Sequence, residues 1–142
     1  MISTSHFHPM LVHFPIALVA VGFLAEIAAL LTKKELCLSV AGFYLLILGT
    51  LSAVAAWGTG NFFTAEMEGA AGEIKELHEQ FAVATLAILV VASILRIFLK
   101  AKNKEDSNLK WVAFVLYGLA AIAVCITGFY GGTLVYNYMM PL

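Results

Sequence analysis

Four long apolar runs, separated by short polar stretches, set the plan of this chain. They cover about 9–31, 36–60, 78–99 and 111–136. A helix needs roughly 20 mostly apolar residues to cross a bilayer, and each run meets that length. The pattern predicts an all-α integral membrane protein, a four-helix up-down bundle forming one domain over 1–142. Thr32-Lys33-Lys34-Glu35 reads as a tight basic turn, 61–77 as an acidic loop and Lys100–Lys110 as a basic polar loop. Glu73–Leu77 has the pattern of a helical turn leading straight into the third run.

Prolines and small residues add detail. Pro9 suits a first helical position, where its missing N–H costs nothing. Pro15 lies further in, lacks a backbone donor and predicts a bend beside His13. The second run carries Gly42, Gly49, Ser52, Ala53, Ala55 and Ala56, the residues that let membrane helices approach closely. Trp111, Tyr136 and Tyr138 stand where interfacial aromatics would.

Composition excludes a soluble domain. The chain is 62 % hydrophobic and 12 % charged, against about 25 % charged in soluble domains. The net charge of −1 gives no reason to expect a nucleic-acid partner. Cys37 and Cys125 are isolated, which excludes a Cys-x-x-Cys-His haem attachment and a thioredoxin-type pair. Both thiols are expected to pack as small apolar side chains. The first residues carry no Lys or Arg, so the first run is expected to stay in the chain as a span.

Charge placement predicts orientation. Lys33, Lys34, Arg96, Lys100, Lys102, Lys104 and Lys110 fall on one side of the four runs, and only Lys75 falls on the other. The positive-inside rule then puts both termini and the acidic loop outside. His6, His8, His13 and His78 all lie on that outer side. Glu26 lies near the other end of the first run, and an intramembrane carboxylate is a functional candidate by default.

The two halves resemble each other weakly, as two parallel helix-pair repeats. His13-Phe14-Pro15-Ile16-Ala17-Leu18 sets against His78-Glu79-Gln80-Phe81-Ala82-Val83, and Thr59-Gly60 against Thr127-Gly128. In an up-down bundle the first and third helices share a diagonal, so this alignment faces His13 with His78. Neutral imidazole ligates haem iron, copper and zinc. The expected function is therefore a membrane electron-transfer protein or subunit holding haem b between His13 and His78 near the outer face. Gly60 and Gly128 would let the flat ring approach the backbone, with Thr59 and Thr127 close by. One alternative is a non-redox structural or accessory subunit whose histidines hold the bundle together. A second is a copper or zinc site built from His8, His13 and His78. No nucleophile–base set, phosphate loop or paired-charge pathway is present, so an enzyme is not expected.

His8-Pro9-Met10-Leu11-Val12-His13-Phe14-Pro15-Ile16-Ala17-Leu18-Val19, the Thr-Gly ending of the second run, the histidine of the third and the closing GGTLVYNY together resemble a bacterial family of predicted membrane proteins, domain of unknown function 2231. The resemblance covers nearly the whole chain. It implies a four-span domain of the bacterial inner membrane. Members are sometimes joined to c-type cytochrome or Rieske-type domains, which implies a respiratory or redox setting. With no fused redox domain here, the implied electron partner is a separate protein, a c-type cytochrome, or a quinone. His8, His13 and His78 are the positions that carry over. A homo-oligomer is compatible with this reading.

Overall fold

In the computed structural model, residues 7–32, 35–64, 66–104 and 107–138 are described. His6, Lys33 and Lys34 lie outside them. A short α1 (Phe7–Leu11) leads into α2 (His13–Leu31), followed by α3 (Glu35–Phe63), α4 (Gly69–Ala101) and α5 (Leu109–Asn137). The chain is all-helical among the described residues. Four helical stretches, beginning at His8, Leu36, Gly69 and Leu109, are long and apolar enough to cross a membrane.

The local sequence explains where the helices break. Val12 separates α1 from α2. Pro15, four residues beyond Leu11, cannot donate to the Leu11 carbonyl, and its ring crowds that carbonyl. The bend expected at Pro15 is thus an interruption just before His13. The acidic stretch is shorter as a loop than its polarity suggests, because α3 reaches Phe63 and α4 begins at Gly69. Gly69 takes φ +64, a left-handed turn that costs glycine little. Ala70, Ala71, Glu73, Lys75, Glu76 and Leu77 are good helix formers and continue from it. At about 1.5 Å per residue, the 33 residues of α4 outrun the ~30 Å hydrocarbon core, so polar turns fit at its ends.

Two tight hairpins, α2–α3 and α4–α5, pack side by side. α2 lies along α5 and α3 along α4, leaving α2/α4 and α3/α5 as the diagonals. The core contains Val19, Leu46, Leu89, Ala92, Tyr117 and Ala120, all essentially sealed from the surface. Close packing uses glycine: a Cβ on Gly49 would sit 2.7 Å from a methyl of Val19, and one on Gly42 would meet the Glu26 side chain. Most large apolar side chains face outward, as expected where lipid is the solvent. Cys37 and Cys125 belong to that exposed set.

The two hairpins are repeats, and burial fixes their register. Pro15, Val19, Gly22 and Ala29 are buried on α2; Thr85, Leu89, Ala92 and Leu99 are buried at the same spacing on α4. Gly42, Leu46, Gly49 and Thr50 of α3 match Ala113, Tyr117, Ala120 and Ala121 of α5 in the same way. This register sets His8 on His78 and Gly60 on Gly131. It corrects the alignment of His13 with His78 and of Thr59-Gly60 with Thr127-Gly128. Apolar helices match by chance in many registers, whereas this one sets buried positions of the first hairpin on buried positions of the second.

Candidate functional site

One end of the bundle collects the histidines. His8 enters on α1, where its Nδ1–H donates to the Ala56 carbonyl of α3 at 3.0 Å. The Thr59 hydroxyl oxygen lies 3.2 Å from the same nitrogen, and the Thr59 hydroxyl donates to that same carbonyl. His78 repeats the arrangement on α4: its Nδ1–H donates to the Thr127 carbonyl of α5 at 3.0 Å. Each ring lies on a glycine. A Cβ on Gly60 would stand 3.0 Å from the His8 ring, and one on Gly131 3.1 Å from the His78 ring. Glycine is what lets each imidazole press against a neighbouring helix and reach its backbone.

The two imidazoles meet across the α2/α4 diagonal with centroids 6.2 Å apart and planes at 82°. A carbonyl only accepts, so each Nδ1 carries its hydrogen and the neutral ring keeps its lone pair on Nε2. No hydrogen bond to either Nε2 occurs among the described residues. Both rings line a cavity of about 250 Å³ at this end of the bundle. Lys75 lies in the same wall, one turn before His78. Its side chain is only 8 % exposed, and its ammonium is shared between Glu66 at 3.0 Å and Glu79 at 3.1 Å.

The other residues expected at the site are distributed as follows. His13 is exposed, and its Nδ1–H donates to the Pro9 carbonyl at 2.6 Å. It stands at the cavity wall, while His8 takes the place opposite His78. Thr59 touches His8, and Thr127 holds His78 through its backbone while its hydroxyl meets that of Thr85 at 3.1 Å. Gly60 lies under His8; Gly128 packs against Ile16, and the glycine under His78 is Gly131. Among the described residues, no three His, Cys, Asp or Glu side chains converge as a metal-binding group.

The opposite end of the bundle holds a second polar cluster. Glu26 of α2 pairs with Arg96 of α4, side chains 9 % and 14 % exposed. Arg96 also donates to Ser39 of α3. The Tyr117 hydroxyl of α5 donates to the Gly42 carbonyl at 3.3 Å. All four long helices contribute. Glu26 and Arg96 occupy equivalent places in the two repeats, so a register that set His8 on His78 would have disclosed them as a pair of opposite sign.

Comparison with known proteins places the chain in one context. The family model described as "Predicted membrane protein (DUF2231)" matches residues 4–141. No curated protein and no solved structure matches the chain.

Proposed function

The chain belongs to the DUF2231 family of predicted membrane proteins, and from that premise we propose that it binds a b-type haem between His8 and His78 and passes single electrons at the face carrying the histidines. The observation carrying this reading is the facing pair of imidazoles, one from each repeat, each fixed by a backbone carbonyl through Nδ1. Metal-ligating histidines characteristically donate their other ring N–H to such a partner, which fixes the tautomer and orientation. The two ring centroids stand 6.2 Å apart, and His8 and His78 would be the residues to hold an iron placed between them.

The donor count favours haem over a bare ion. Structural zinc takes four protein ligands and catalytic zinc three, and the described residues bring no such group together. A haem needs only two ligands from the protein, and His8 and His78 would be the residues that hold it. When bound, haem supplies a one-electron couple. The chain's own residues orient the ligands, exclude water along the bundle axis and set the local polarity, which are the protein's means of tuning a potential. The Lys and Arg distribution supports insertion in the bacterial cytoplasmic membrane with the histidine face and both termini outside. There a c-type cytochrome or a quinone would exchange electrons with it.

A non-redox accessory role is the second reading. Its supporting observation is that the cavity volume, about 250 Å³, lies below the 300–1,000 Å³ usual for ligand pockets. The absorption spectrum of the detergent-purified chain from haem-replete cells separates the two. Haem binding gives a Soret band with sharpened α and β bands on reduction, lost in His8→Ala and in His78→Ala and retained in His13→Ala. A colourless, metal-free preparation supports the accessory role.

A further inference from the structure

Lys75 is an unusual group to find in this wall. Its side chain is 8 % exposed, and a buried ammonium costs several kcal/mol unless paired. Among the described residues, no other Lys or Arg lines the cavity. The remaining basic residues belong to the opposite end of the bundle or the connections there. Lys75 is thus the cation that the described residues offer to any acidic group entering beside His8 and His78.

Its two carboxylate partners are not equivalent. Glu79 is one turn along the same helix and shares the cavity wall. Glu66 comes from the connection between α3 and α4, and its side chain is 94 % exposed. An ion pair with one partner in solvent contributes little, so Glu66 can leave at little cost. A third carboxylate cannot readily add to Lys75 while both glutamates stay, because one ammonium with two carboxylates already leaves a local charge of −1 against an incoming anion. It can enter by exchange, with Glu66 released to solvent.

We infer that Lys75 is the carboxylate anchor of the site, taking an acidic side chain of the porphyrin, and that Glu66 holds the place until the porphyrin arrives. The inference rests on the haem reading, and its test separates the two. The full chain, purified in detergent from haem-depleted cells, is titrated by absorbance with haemin and with haemin dimethyl ester, which lacks both carboxylates. The wild type binds haemin more tightly than the ester. Lys75→Met weakens haemin binding about ten- to a hundredfold, the range for a lost charged hydrogen bond, and leaves the ester unchanged. Glu66→Gln strengthens haemin binding by up to about fivefold, again with no effect on the ester. That gain cannot come from misfolding. If wild type and Lys75→Met bind both porphyrins equally well, the anchor is overturned and the haem reading stands. If the wild type takes up neither porphyrin, both fall together.

Discussion

A carboxylate and a guanidinium that meet inside a bilayer are each costly to leave alone. Glu26 and Arg96 are nearly sealed, and removing one partner of a buried pair costs about 3–5 kcal/mol because the other charge stays behind. Glu26→Gln and Arg96→Met are each expected to lower the midpoint of unfolding in detergent by that much, read by helicity against denaturant. The exchange Glu26→Arg with Arg96→Glu recovers part of the loss, since it restores opposite charges at the same two places. Neither residue's partner was legible in the sequence, where Glu26 stood alone in the first run and Arg96 at the exit of the third. The histidines failed in a related way. Two histidines five positions apart precede one in the second half, and residue identity alone did not say which was equivalent. Burial of Val19 with Leu89 and of Leu46 with Tyr117 decides it, and that is a property of packing.

Helices and their ends come next in scale. The four runs were legible because lipid demands apolar side chains over the whole span. Helix ends were less so. Polar turns of α4 before His78 carry no hydropathy signal, although their helix formers and the Gly69 turn build them. The segment before Val12 matters for the site, because α1 carries His8 against α3. Pro15→Ala restores a donor for the Leu11 carbonyl and is expected to fuse α1 with α2. The outcome should be a helix at least as stable, by thermal unfolding, with weaker haem retention because His8 leaves Ala56. Gly131→Leu tests the other ring. Its added bulk meets the His78 imidazole, already 3.1 Å from a bare Cβ, and should abolish the Soret band while sparing the hydrogen bond from His8 to the Ala56 carbonyl. A band that survives both changes would speak against the ligand pair.

For the molecule as a whole, the distribution of charge divides the two ends. Glutamates cluster at the histidine end and basic residues at the Arg96 end. With Cys37 and Cys125 replaced by Ala, a cysteine at Thr64 should react with a membrane-impermeant maleimide in intact spheroplasts, and one at Asn103 only after lysis. The reverse result would invert the orientation. The overall architecture was legible because four spans with short connections leave few arrangements. The pairing of halves was not, because it depends on which faces interlock.

The repeat has a consequence for how the bundle came to be a single chain. At the histidine end the two repeats present identical groups to each other, whereas at the other end they present Glu26 to Arg96. Two copies of the first hairpin would oppose carboxylate to carboxylate, and two of the second guanidinium to guanidinium. Only unlike halves are complementary. Cut between Met67 and Glu68 and co-expressed, the two pieces should reassemble with each other in preference to themselves, which co-purification on a tag carried by either piece would read. Preference for like pieces would show that the charged pair does not choose partners. A symmetric ancestor could have assembled as two equal hairpins, but this chain, having divided opposite charges between its halves, carries a built-in requirement for one of each.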